Sequence, residues 1–337
     1  MTTYDVAIVG ATGAVGVEMY KVLKDRNFPV GKLRLFASER SAGKVMSTPF
    51  GEITVEVFSV DAVRECAFAF LAVSGSFAKE HGPAMAAPGG PIVIDNSSAF
   101  RMDPEVPLVV PEINLDAIGD SRLVANPNCT TAIAAMALYP LHKAFGLKKV
   151  IVSSYQAASG AGAEGMEELQ TGCKQMLAGE KVENKVFAHP LPFNVIPHID
   201  VFVDNGYTKE EMKVTLETQK IFGMPDLAVS CTAVRIPTLR AHSEAITIET
   251  EKPISPDAAR DILSGAPGVR VVDSPADKLY PMPITATSQH DIEVGRIRQS
   301  LIFKEYGLDI FVCGDQLLRG AALNAVLIGE MLLAKKG

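Results

Sequence analysis

The chain has 337 residues, 47% of them hydrophobic and 21% charged, with a formal net charge of −7. At about 150 residues per domain there is room for about two domains, each with its own core, and the ordinary glycine and proline content excludes a largely disordered chain. The acidic balance, without a basic run, leaves no electrostatic footprint for nucleic acid.

The first predicted element is the apolar run Val6 to Val9, the pattern of a strand buried on both faces, which ends in the turn Gly10-Ala11-Thr12-Gly13-Ala14-Val15-Gly16. Val15, Met19, Val22 and Leu23 then recur at helical spacing up to Asn27-Phe28-Pro29. Leu33 to Ala37, Phe68 to Val73 and Pro91 to Asp95 read as further strands, with a helix over Phe77 to Ala87. Strands alternating with helices imply βαβ units and a parallel sheet. From about residue 130 the texture changes. A long helix is expected over Thr130 to Phe145, then a strand over Lys149 to Tyr155. Ala228 to Ile236, Ser243 to Glu251, Gly295 to Ile302 and Leu308 to Cys313 alternate like half-exposed antiparallel strands. A helix over Thr208 to Ile221 and a closing helix over Gln316 to Leu333 complete the pattern.

The fold class is therefore α/β: an N-terminal Rossmann-like domain of the dinucleotide-binding type over residues 1–130, and a second, α+β domain with a mixed or antiparallel sheet over 131–315. The segment from about 316 to 337 is expected to pack back on the first domain.

Five cysteines, at 66, 129, 173, 231 and 313, form no Cys-x-x-Cys pair and have no histidines at ligand spacing, so neither a disulfide framework nor a metal site is expected. The N-terminal segment runs straight into a strand and shows no export signal. The apolar stretches Ala132 to Leu138 and Ala325 to Leu333 are too short, or are broken by Pro140 and Glu330, to span the roughly 20 residues a bilayer needs. A cytoplasmic protein without membrane association is expected.

A glycine-rich turn between a first strand and a first helix lets backbone amides approach a pyrophosphate, with the helix N-terminus adding favourable charge. Gly10, Gly13 and Gly16 have Gly-x-x-Gly-x-x-Gly spacing, so Thr12, Ala14 and Val15 fall within the same cofactor contact. The nicotinamide cofactor is chosen at the end of the second strand, here Ala37-Ser38-Glu39-Arg40-Ser41. Ser38, Arg40 and Ser41 suit a 2′-phosphate and favour NADP, whereas Glu39 suits either a ribose hydroxyl or solvent. Cys129, behind Asn126-Pro127-Asn128 and at the start of the long helix, sits where the dipole and free amides favour a thiolate. The other four cysteines lie in strand-like or helix-like segments and read as structural.

Several segments together resemble the aspartate-semialdehyde dehydrogenase family over nearly the whole chain. They are the Gly10 to Gly16 turn, Asp95 to Arg101, Asn126 to Thr131, Tyr155 to Gly162, Arg235-Ile236-Pro237, Arg240-Ala241-His242-Ser243 and Gly314-Asp315-Gln316. The resemblance implies reversible NADPH-dependent reduction of aspartyl 4-phosphate to aspartate 4-semialdehyde, with release of phosphate, in biosynthesis of lysine, methionine, threonine and isoleucine. It makes Cys129 the acylated nucleophile, since a thioester accepts hydride where a carboxylate does not. It makes His242 the acid/base and Gln156 the group that orients the acyl chain. Arg235 would grip the substrate carboxylate, and Glu210 would lie near its amine. Arg101 and Lys213 would bind phosphate, while Ser159, Gly160 and Gln316 would contact the cofactor near the nicotinamide. It also implies a homodimer, with residues 131–315 as the catalytic and dimerisation domain.

From spacing alone, Glu210 and Lys213 read equally as a surface ion pair. Arg235 and His242, an odd seven positions apart, would face opposite ways on one unbroken strand, though Pro237 interrupts it. Ala158 stands where the family has a bulkier aliphatic residue, and Asp315-Gln316 where some relatives carry Asn. N-acetyl-γ-glutamyl-phosphate reductases share this architecture, but their cysteine usually follows glycine, and here Asn128 precedes Cys129. A non-catalytic NADP-binding paralogue is a second alternative, against which the joint presence of Cys129, Gln156, Arg235 and His242 speaks.

Overall fold

A computed structural model describes residues 2–335. They divide into two compact units. The first comprises residues up to Asn128 together with the chain from Ala321 onward, and the second runs from Cys129 to Gly320.

The first unit is built on β1 (Tyr4–Val9), β2 (Val30–Ala37), β5 (Glu56–Val57), β6 (Phe68–Leu71), β7 (Ile92–Asp95) and β8 (Leu123–Ala125). These strands form one parallel sheet in the order β5-β2-β1-β6-β7-β8. Residues 6–9 and 68–71 are buried, as expected where helices cover both faces. The helices are α1 (Ala14–Asp25), α2 (Val60–Arg64), α3 (Gly75–Ala86) and α4 (Pro111–Asn114), and a small antiparallel hairpin, β3 (Val45–Thr48) with β4 (Gly51–Thr54), stands beside them. Ile8, Phe36, Phe70, Ile94, Met19 and Leu23 fill the core.

The second unit contains α5 (Cys129–Phe145), β9 (Leu147–Gln156), α6 (Gly162–Leu177), α7 (Lys209–Phe222), β10 (Ala228–Arg235), β11 (His242–Thr250), α8 (Pro256–Ser264), β12 (Val269–Val271), α9 (Pro283–Ala286), β13 (Ile292–Ser300) and β14 (Lys304–Gly314). Its sheet runs β10-β9-β11-β14-β13-β12. β10 was expected to be antiparallel but pairs parallel with β9, whereas β9, β11, β14 and β13 alternate in direction. An alternating pattern is blind to strand direction, and the α7 crossover between β9 and β10 supplies what a parallel pair needs. The sheet is mixed. α7 opens with a capping box, Thr208 accepting from the Glu211 N–H while Glu211 accepts from that of Thr208.

The expected helix from Gln316 begins later. A π-helical turn spans Leu318–Ala322, and α10 runs Leu323–Ala334 in the first unit, where Arg26 forks onto Glu330 at 2.7 and 3.0 Å. The final two residues of the expected 316–337 segment lie outside the described residues. Among the described residues no helix is long and apolar enough to cross a membrane.

Candidate active site

In the first unit, β1 delivers the chain into the glycine turn. Gly10 adopts φ +84°, and a Cβ there would lie 2.2 Å from the Ala72 carbonyl oxygen, so no larger residue fits. A Cβ on Gly16 would lie 2.4 Å from the Gly10 carbonyl oxygen, which assigns Gly16 to helix–strand packing. Gly13 caps α1 without a side-chain hydrogen bond and with no acidic residue in the first turn, leaving amides available to an anion. These residues border a cleft of about 950 Å³ whose wall includes Gly10, Thr12, Gly13, Ser38, Glu39, Arg40 and Ser41. Ala14, Val15 and Gly16 are not in that wall; they begin α1. Phe58, Val73, Ser74 and Phe77 also line it and carry no motif that a sequence reading would register. The cradle and its glycines fit a dinucleotide.

Elsewhere in this unit Asp95 accepts from the N–H and hydroxyl of Ser97, at 3.0 and 2.7 Å, and turns the chain after β7. Arg101 then lies 8% exposed, donating to the carbonyls of Asn126 at 2.9 Å and Asn96 at 2.8 Å. Part of its guanidinium is thus committed to holding the Asn126 segment.

In the second unit the candidate residues converge at one end of the sheet. Arg235 pairs in register with Gln156, His242 pairs with Gly314, and Ser243 pairs with Tyr155, which brings Gln156 alongside His242. Arg235, Gln156, His242 and Gly314 therefore form one row across β10, β9, β11 and β14. The odd spacing of Arg235 and His242 does not separate them, because Arg235 ends one strand and His242 begins another on the far side of β9. All three side chains are buried.

His242 accepts the Ala157 N–H on Nδ1 at 3.0 Å. Burial, aided by the Arg235 charge, holds its pKa well below the usual histidine range, so the ring is neutral with its proton on Nε2. Gln156 accepts from the Ser154 hydroxyl at 3.0 Å and donates to Glu210 Oε1 at 3.1 Å. Its Nε2 approaches His242 Nε2 at 3.5 Å, a contact between two donors. Arg235 donates to the Ala157 carbonyl at 2.6 Å. Burial pulls its pKa down against the attraction of Glu210 and Cys129.

Cys129 is the first residue of α5, whose first turn carries no acidic residue. A Cβ on Gly320 would stand 2.5 Å from the Cys129 Cβ, so the π-helical turn keeps a bare backbone against the cysteine. Gly160 plays the same part for the row: its Cβ would meet Arg235 Nη1 at 2.7 Å and the His242 ring at 3.3 Å. Ser159 and Gly160 lie in a 3₁₀ turn, Ala158–Ala161, that leads into α6. Ala158 is packed in a cluster with Leu169, Phe187, Leu191 and Ile196, so its small side chain leaves no polar group exposed. Gln316 accepts the Ala241 N–H at 2.8 Å and donates to the Ser159 hydroxyl. Asp315 anchors that segment, bonding Arg240 at 2.6 Å and the Ser288 N–H at 2.6 Å.

Lys213 bridges Asp200 at 2.7 Å and Glu210 at 3.1 Å. Burial opposes its charge, yet the two carboxylates outweigh that and its pKa is raised. Burial pushes the Cys66 thiol up to about 11 and that of Cys313 to about 12, and it raises that of Cys231 as well. Cys173 is inside α6, but Cys66 lies in a bend between α2 and β6 and not in a regular element.

The semialdehyde dehydrogenase NAD binding domain model matches residues 5–121, and the semialdehyde dehydrogenase dimerisation domain model matches residues 138–319. The chain is 48% identical over 339 aligned residues to an aspartate-semialdehyde dehydrogenase of Aquifex aeolicus, covering 99% of each chain. It is 45% identical to one of Bacillus subtilis, covering 97% of this chain and 96% of the relative. Its fold superposes on the crystal structure of aspartate semialdehyde dehydrogenase II of Vibrio cholerae complexed with ASA, with a TM-score of 0.95, 38% identity and 99% of both chains covered.

Proposed function

The chain belongs to the aspartate-semialdehyde dehydrogenase family, and from that premise we propose how its own residues divide the work. The activity is reversible reduction of L-aspartyl 4-phosphate to L-aspartate 4-semialdehyde and phosphate, in biosynthesis of the aspartate-derived amino acids. A nicotinamide dinucleotide held in the cleft of the first unit supplies the hydride. NADP is the preferred form, because Arg40, Ser38 and Ser41 line the cleft with donors suited to a 2′-phosphate.

Cys129 attacks the acyl carbon. A carbon–sulfur bond forms, the bond to phosphate breaks, and phosphate leaves with the electron pair. His242 meets the acyl oxygen through Nε2, the ring atom that carries its proton, since Nδ1 is occupied by the Ala157 N–H. Gln156 orients the acyl group, and Arg235 takes the α-carboxylate with its planar fork. Glu210 faces the amine. Arg101 and Lys213 take phosphate, Lys213 being held ready by Asp200 and Glu210. Once the thioester carbon has taken up the hydride that the bound dinucleotide would supply, its oxygen re-forms the carbonyl, the carbon–sulfur bond breaks with its electron pair going to sulfur, and the aldehyde leaves the restored Cys129 thiolate.

The exposed face of the second sheet, which carries Ile151 and Tyr155, is where a homodimer would form. The protein works in the cytoplasm. The observation that carries the catalytic reading is the row Arg235, Gln156, His242 beside a cysteine that opens a helix. Assaying aspartate semialdehyde and N-acetylglutamate semialdehyde, each with phosphate and with NADP or NAD, tests it. Turnover of the first with NADP is expected; preference for the second would overturn the assignment.

A further inference from the structure

Glu244 lies on β11 two residues after His242, is fully buried, and has no role in the chemistry above. Neither of its carboxyl oxygens has a hydrogen-bond partner. Register places it directly opposite Ser154 on β9, with side chains on the same face as Gln156 and His242. Cys231 on β10 and Cys313 on β14 are close enough to feel its charge, and both are thiols that bring no positive charge to balance a carboxylate. An ionised carboxylate in such a place has no compensation, so the group is carried as the neutral acid. Burial accordingly pushes its pKa well above the usual range.

A neutral acid has one O–H to give. The Ser154 hydroxyl is the polar group facing it; that hydroxyl spends its own hydrogen on Gln156 Oε1 at 3.0 Å and keeps lone pairs free to accept. Directly opposed residues have Cβ atoms about 4.5–5.5 Å apart, within reach of a glutamic acid by a rotamer change or one internal water.

We propose that Glu244 is a positioning residue, whose carboxyl O–H, by way of the Ser154 hydroxyl, holds the Gln156 amide in its working orientation. With its oxygen fixed by Ser154, Gln156 must turn its NH₂ toward Glu210. Were Glu244 ionised it would compete for the Ser154 hydrogen, and the Gln156 oxygen would lose its donor. The proposal rests on the acyl-orienting role of Gln156.

The test is steady-state kinetics of Glu244→Leu, Glu244→Gln, Ser154→Ala and the double variant Glu244→Leu/Ser154→Ala. Glu244→Leu should lower kcat about tenfold while KM for the semialdehyde moves less than about twofold, and Glu244→Gln, which keeps a neutral donor, should stay within about threefold of the parent. The double variant should be no worse than the weaker single one, because both break one chain of bonds. Parental kcat in Glu244→Leu, equal damage in Glu244→Gln, or multiplied losses in the double variant would each overturn it. Should Glu244→Leu fail to fold, Glu244→Met, which keeps the bulk without the O–H, takes its place: the same selective kcat loss supports the relay, and full activity refutes it. Gln156→Ala separates the underlying reading. If that variant turns over normally, the role of Gln156 falls as well; if it is crippled while Glu244→Leu is not, only the relay falls.

Discussion

Ala157 donates its backbone N–H to His242 Nδ1 at 3.0 Å, and its carbonyl accepts from Arg235 at 2.6 Å. One residue, just past the end of β9, thereby sets the tautomer of His242, the proposed acid/base, and the aim of Arg235, the proposed carboxylate grip. Because the bonds run to main chain, they do not depend on the Ala157 methyl, and the geometry of the candidate site depends on where the strand ends.

Replacing Cys129 with Ser should lower turnover by about a thousandfold or more and leave dinucleotide affinity unchanged, since a neutral serine hydroxyl is a far poorer nucleophile than a thiolate. Turnover with a parallel fluorescence titration of NADP checks both halves. Sustained turnover would remove Cys129 from the mechanism.

Gly160→Ala should fold normally, because Gly160 does not occupy the left-handed region, yet lose about 10- to 100-fold in kcat/KM as its methyl displaces Arg235 and His242. A melting curve beside the rate measurement distinguishes displacement from unfolding.

Arg101→Ala should raise KM for phosphate. It should also cost about 1–3 kcal/mol of stability, as one buried and one half-buried carbonyl lose their donor. An unchanged KM with the stability loss would assign Arg101 to structure alone.

Glu244 makes stability depend on pH with a definite sign. Its folded pKa is raised by burial, so its contribution is fully present below the unfolded carboxyl value near 4.5 and is lost as pH rises toward the folded pKa. Gln does not titrate. The melting temperature of Glu244→Gln relative to the parent should therefore climb as pH rises above about 4.5; a difference that stays flat with pH would show the carboxyl is not buried as the acid.

Arg40→Ala should shift the ratio of kcat/KM for NADP over NAD downward by about tenfold or more, through loss of a charged phosphate contact. Glu39→Gln, on the same wall, should move the ratio the other way. An unchanged ratio in both would place discrimination elsewhere in the cleft.

Much of the first unit was legible because its strands are continuous apolar runs: Val6 to Val9 and Phe68 to Leu71 have no polar face to confuse the pattern. The β3–β4 hairpin was missed because it is short and mostly exposed, with no hydrophobic face to declare it. In the second unit the alternation found β10 but not its direction, which is a property of the connection. Cys129, His242 and Gln156 were readable from motif, but Asp315 with Arg240, 75 residues apart in the chain, and Ser154 with Glu244 were not. Those pairings exist only once strands are in register. The Thr208 and Glu211 capping box was present in the letters, three residues apart, and marks the start of α7 without any tertiary information.

The row of Arg235, Gln156, His242 and Gly314 draws on three separate strand pairings. A slip of a single residue in any of them leaves a sheet of nearly the same hydrogen-bond content but turns one member of the row to the opposite face. Specific activity in this protein is thus an audit of strand alignment. A misaligned population would be silent to circular dichroism and conspicuous to an assay, so recovered turnover, and not recovered β signal, marks the moment at which a refolding chain has become native.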